Sequence, residues 1–133
     1  MAEHLFTFKK KERLRHHKQI DRLFKEGIVL HNYPIKLVWL DVSAENPVIT
    51  QVMFAVPKRF FKHANQRNLL KRRMREAYRL TKPSFYADLE KNQKAGIFSF
   101  VYNGKQALEF SFIQDKIILL LKRLKEIHEK APR

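Results

Sequence analysis

The chain has 133 residues, with 28 Lys plus Arg against 13 Asp plus Glu and a net charge of +15. That length fits one domain with a single core, and 44% hydrophobic residues with 11 Phe exclude a disordered basic tail. With no cysteine, disulfides, thiol nucleophiles and Cys-based zinc sites are excluded, which suits a reducing compartment.

The opening MAEHLFTFKKK lacks an apolar stretch before a cleavage site, so no secretory signal is expected. Residues 1–12 are polar and read as flexible, as do 130–133. Ile20, Leu23 and Phe24 fall at helical spacing, giving a helix over 17–26 with Gly27 as its C-cap glycine. IVLHNYP reads as an extended entry punctuated by Pro34. IKLVWLDV (35–42) and VITQVMFAV (48–56) read as strands separated by the turn chemistry of SAENP, so the pair is expected to form a hairpin. Trp39 and Phe54 alternate with other apolar residues and read as core.

Residues 57–65 form a basic loop, followed by a helix from Gln66 to about Thr81 that Pro83 ends. Ser84 opens a further short helix through Glu90. GIFSFVY (96–102) is a strand with Gly104 in the turn behind it. The last helix runs from Phe110 to about Glu129, with Phe112, Ile113, Ile117, Leu120, Leu121 and Leu124 as its apolar stripe. The order α-β-β-β-α-β-α defines an α+β domain with a small, mostly antiparallel sheet and helices packed on it, a two-layer α/β sandwich. The unit from 48 to 102 would by default be a right-handed crossover. No apolar run approaches a membrane span.

The charge is uneven. Residues 58–82 hold ten basic residues and one acid, Glu76. A solvated helix face usually mixes signs, so this run points to an anionic partner. On the helix, Leu70, Met74 and Ala77 share one face, Arg67, Lys71 and Arg75 another, and Asn68, Arg72 and Arg79 lie beside them. Arginine forks chelate phosphate oxygens, and Asn68 can bond a phosphate, a ribose hydroxyl or a base edge. Lys58, Arg59 and Lys62 extend the patch, while Arg73 leans toward the apolar side. Phe60 and Phe61 either stack on nucleobases or plug the core under the loop.

Catalytic constellations are thin. The six histidines form no spaced metal pair, the acids are scattered, and Asp41 reads as a turn residue. No phosphate-cradling glycine motif or nucleophile elbow is present. Chemistry is therefore expected from a partner.

The motifs resemble those of the protein subunit of bacterial ribonuclease P. Within RLRHHKQIDRLFKEG, Arg13, Leu14, Phe24 and Gly27 match, with Ile20 where the family carries its first aromatic. In FAVPKRF, Lys58 and Arg59 match the basic pair. RNLLKRRMREAYR matches the family signature at Arg67, Asn68, Lys71, Arg72 and Arg75, with Leu69 replacing its second arginine. The matching motifs span residues 13–79.

The resemblance implies an endoribonuclease holoenzyme in which a catalytic RNA, using Mg²⁺, removes the 5′ leader of precursor tRNA. No catalytic residue is expected in this chain, and Mg²⁺ is held mainly by the RNA. The implied partners are the catalytic RNA and precursor tRNA, in the cytoplasm, with no membrane and no obligate protein partner. The implied fold has a left-handed βαβ crossover, overruling the default. The implied leader cleft, between the first helix and the sheet, involves Ile20, Phe24, Lys36 and Val38. A structural RNA-binding protein of ribosomal type shares the charge and the basic helix, and a DNA-binding module is disfavoured because no partner helix precedes the basic one at helix-turn-helix spacing.

Overall fold

The structure, a computed structural model, describes residues 8–42 and 50–130. These form α1 (His17–Glu26), β1 (Ile28–Asn32), β2 (Ile35–Asp41), β3 (Gln51–Ala55), α2 (Ala64–Lys91), β4 (Gly96–Tyr102) and α3 (Phe110–Lys130), with a short 3-10 turn at Lys10–Glu12 ahead of them. The turn SAENP, residues 48–49 of the expected second strand, and 1–7 and 131–133 of the two tails lie outside the described residues.

The four strands lie in the order β1-β2-β4-β3. β2 does not form a hairpin with β3, as the intervening turn chemistry suggests. The hairpin is β1–β2, closed at Tyr33–Pro34, and β4 inserts between β2 and β3, antiparallel to the first and parallel to the second. Burial is the physical reason. Every residue of β4 is buried, and a strand apolar on both faces is most stable in the middle of a sheet.

Alternation along the strands divides the sheet into two faces. Ile35, Leu37 and Trp39 of β2 join Phe98, Phe100 and Tyr102 of β4 in the main core, against Leu70, Met74, Ala77, Tyr78, Phe85 and Leu89 of α2 and Ile113, Ile117, Leu120 and Leu124 of α3. Trp39 and Phe54 are thus core residues, Phe54 partly exposed. On the opposite face, Leu14, Leu23, Val38 and Ile97 form a smaller cluster with Ile20, Leu40 and Met53, so α1 covers only part of that face. Phe112 is 56% exposed and does not belong to the buried stripe of α3.

Gly27 ends α1 with φ −70°, not in the left-handed region. Its reason is space: a Cβ there would stand 2.5 Å from the Leu23 carbonyl oxygen and 2.9 Å from the Val38 side chain. Pro83 does not end α2. It costs a backbone hydrogen bond, but Lys82, Phe85 and Leu89 around it are all buried, and their packing carries the helix through to Lys91. Ser84 is an exposed position within that helix and opens no new one.

The N-terminal segment is anchored from residue 8 onward. Phe8 packs edge-on against Phe54 and Tyr78. The Leu14 N–H donates to the Val52 carbonyl at 2.9 Å, laying residues 13–14 along the outer edge of β3. Glu12 is buried, with its carboxylate 3.0 Å from Lys82 Nζ.

Candidate nucleic-acid interface

The loop after β3 and the first turns of α2 are held together by Arg67. Its Nη1 donates to the carbonyls of Phe61 and Lys62, both at 2.8 Å. Lys58, Arg59 and Lys62 stay exposed around this anchor. Phe61 turns inward against Tyr102, with ring centroids 5.9 Å apart, while Phe60 stays at the surface beneath the Arg59 guanidinium. The two adjacent phenylalanines therefore split between core and surface.

Along α2, Asn68 and Arg72 are exposed, and Lys71 and Arg75 are half-buried. Lys71 and Arg75 face across a cleft of about 230 Å³ to Arg13 and Arg15, over a floor that includes Leu14, Val52 and Phe54. The lining holds no carboxylate. Burial lowers the Arg75 pKa first, and the nearby charges of Arg13 and Arg72 push it further down. Cations crowded in this way gain most from an anion placed between them. Sequence reasoning missed Arg13 and Arg15 as members of this group. Nothing local announces them, because the edge pairing with β3 brings them there from 56 or more residues away.

Two sequence-predicted residues stand differently. Arg79 lies on the same helix, but its guanidinium grips Glu76 through two bonds, Nη2 at 2.6 Å and Nε at 3.0 Å. That bond holds the Glu76 carboxyl below its ordinary range. Arg73 leans to the apolar side, as its position suggests, and donates to the Leu108 carbonyl.

At the α1 end, Phe24 is 46% exposed and Ile20 is half-buried against the smaller cluster. Lys36 is half-buried on the same sheet face, beside His31 and Val101 in register. Val38 departs from expectation. It is 2% exposed, packed with Leu23 beneath α1, so it supports the helix and lines no open cleft. Asp41 ends β2, accepts from Trp39 Nε1 at 2.7 Å and pairs with Lys94. No group of three or more His, Asp or Glu among the described residues is placed to hold a metal ion, and no described helix is long and apolar enough to cross a membrane.

The fold and this surface define a small, strongly basic α+β domain with an open four-stranded sheet and, beside α2, an acid-free cationic cleft. Its backbone superposes on the ribonuclease P protein of Staphylococcus aureus with a TM-score of 0.66 at 18% identity, covering 86% of this chain and 95% of that one. Against the Thermotoga maritima protein the TM-score is 0.64 at 24% identity, covering 84% and 96%. In sequence, residues 8–125 match the Ribonuclease P family. The chain is 32% identical over 121 residues to the ribonuclease P protein component of Chlorobium phaeobacteroides, covering 88% of this chain and 74% of that one. It is 29% identical over 109 residues to that of Porphyromonas gingivalis, covering 82% and 80%. The chain belongs to the ribonuclease P protein-component family.

Proposed function

We propose that this chain is the RNA-binding subunit of a ribonuclease P holoenzyme that removes the 5′ leader of precursor tRNA in the cytoplasm. The observation that carries the reading is the convergence of Arg13, Arg15, Lys71 and Arg75 on one acid-free cleft, continued by Arg72 and Asn68 along α2. Such a surface binds a crowded phosphate backbone and releases its counterions. Arg67 acts twice, as a cation and as the brace that holds the Phe61 and Lys62 carbonyls at the helix entrance.

The precursor's leader would lie along the other sheet face, against Phe24, Ile20 and Lys36. Contacts there are stacking and backbone contacts, tolerant of sequence. Cleavage would be Mg²⁺-dependent, with the metal on the RNA. The cleft's cations repel a dication, whereas clustered RNA phosphates attract it. By screening repulsion between catalytic RNA and substrate, the subunit lowers the Mg²⁺ that cleavage requires.

The test is cleavage of precursor tRNA by a bacterial ribonuclease P RNA at low Mg²⁺, with and without the protein. Cleavage at the mature 5′ end only when the protein is present is the expected result. Tight RNA binding without stimulation would leave a general RNA-binding protein of ribosomal type.

A further inference from the structure

Three segments meet where β2 begins and β4 ends: the Tyr33–Pro34 turn, residues 103–109 and the loop carrying Phe60. The first two are pinned together. The Asn103 N–H donates to the Pro34 carbonyl at 2.7 Å. Gly104 sits so close to Pro34 that a Cβ would stand 2.6 Å from the proline's own Cβ, so only glycine fits. The Tyr102 hydroxyl accepts from the Leu108 N–H at 3.0 Å and donates to the Gln106 carbonyl at 2.6 Å. Arg73 clamps the Leu108 carbonyl from α2.

These bonds leave a preformed cleft of about 220 Å³, lined by Tyr33, Pro34, Gly104, Lys105, Gln106 and Leu108. Its lining holds no carboxylate. Tyr33, on its rim, is 67% exposed. Lys105 links the cleft to a second exposed aromatic, with Nζ 5.7 Å from the centre of the Phe60 ring, and Arg59 stands 4.9 Å from the same ring. Phe60 is 37% exposed although its neighbour Phe61 is buried. Two surface rings, two pinned segments and two exposed cations form one continuous patch.

Resting on the reading that the partner is RNA, we propose that this patch is a second single-stranded RNA site, in which unpaired bases stack on Tyr33 and Phe60 while Lys105 and Arg59 meet the flanking phosphates. Paired bases have their faces covered, so an aromatic platform of this kind selects unpaired nucleotides. The site is separate from the surface at Phe24. Helix α1 covers the sheet around Leu40 and Ile97, whereas this patch lies beyond Ile35 and Tyr102, at the opposite ends of the same strands.

The test compares the full-length protein with Tyr33→Ala, Phe60→Ala and Tyr33→Phe variants. The first probe is a uridine dodecamer, and the control is the same ribose-phosphate backbone without bases. Each alanine variant is expected to bind the dodecamer about fivefold more weakly, at the low end of base–aromatic stacking, and the base-free control unchanged. Tyr33→Phe keeps the affinity. Unchanged dodecamer binding in both alanine variants, or an equal loss on the control, would overturn the site.

Holoenzyme binding then distinguishes the source of the strand. Loss confined to precursors with long leaders assigns it to the substrate, and loss of catalytic-RNA affinity whatever the leader assigns it to the RNA subunit. Because wild-type stimulation of cleavage is scored separately, the holoenzyme reading can stand where this site fails.

Discussion

Glu12 is held by its own turn and by two side chains far along the chain. Its carboxylate accepts from the Lys9 N–H at 2.6 Å, the Tyr86 hydroxyl at 2.8 Å and Lys82 Nζ at 3.0 Å. Burial alone would raise its pKa, but these three donors outweigh burial and hold it below the ordinary value of 4.5. A carboxylate depressed in the folded state stabilises the fold above its unfolded pKa, and loses that contribution as pH falls through the lower, folded value. Stability should therefore decline below about pH 4.5, and Glu12→Gln should flatten that decline. At pH 7, Glu12→Gln should cost about 3 kcal/mol, because it takes the carboxylate from a buried ammonium, whereas Glu12→Gln with Lys82→Met should recover much of the loss. Urea unfolding of the wild type, Glu12→Gln, Lys82→Met and the double variant at pH 7 and pH 4 measures both effects, and additive single-site losses would show that the pair is not coupled. The polar opening segment gives no sign of this clasp, since its side-chain partners Lys82 and Tyr86 stand 70 and 74 residues away. Residue-level reading succeeded where the signal was local. The apolar lean of Arg73 and the core face of Leu70, Met74 and Ala77 follow from helical spacing alone. It failed for Val38, whose alternation shows which sheet face it occupies but not that α1 lies over it.

Among the elements, α2 joins the interface to the core. Its 28 residues span about 42 Å. One side packs on the sheet through Leu70, Met74, Tyr78, Phe85 and Leu89, and another carries Arg67, Lys71 and Arg75. Most elements were legible because their periodicity is strong: α1, β2, β4 and α3 lie within a residue or so of expectation. Pairing was not legible, because partners follow from burial over the whole sheet. β4 takes the central place through its two-sided apolarity, and the hairpin forms at Tyr33–Pro34. The length of α2 was misread because a proline's local cost was weighed without the packing that offsets it. The basic face itself can be tested by salt. Replacing Arg67 and Lys71 together by Ala should weaken binding to the catalytic RNA and reduce the slope of log K against log salt by about 2, one per lost phosphate contact. Lys71→Ala alone isolates the charge, since Arg67 also braces the loop carbonyls. A titration series between low and moderate salt gives the slopes, and unchanged affinity and slope would remove α2 as the main RNA contact.

On the scale of the whole molecule, the open sheet has unequal faces. One is sealed by α2 and α3, while the other is covered by α1 around Leu23, Ile20 and Leu40 and carries Lys36 and His31 toward the far strand ends. Under the proposed function, two of the fronts that meet RNA are the α2 cleft and the part-covered sheet face, on a chain with a net charge of +15. The two fronts predict separable functions, and Phe24 tests the separation. Its ring is 46% exposed on α1, beside the fully buried Leu23, so Phe24→Ala removes surface area and little packing. The fold should lose about 0.5 kcal/mol or less, as for a surface substitution. Affinity for the catalytic RNA should stay as in the wild type, because the contact proposed for that RNA lies on α2. Affinity of the holoenzyme for precursor tRNA should fall about tenfold, within the range for one lost base–aromatic stack. For tRNA without a leader it should not change. Dissociation constants for the two RNAs, measured on wild-type and Phe24→Ala holoenzyme, decide the matter. An equal loss on both would mean that Phe24 acts through the seating of α1, and that the two fronts form one binding surface.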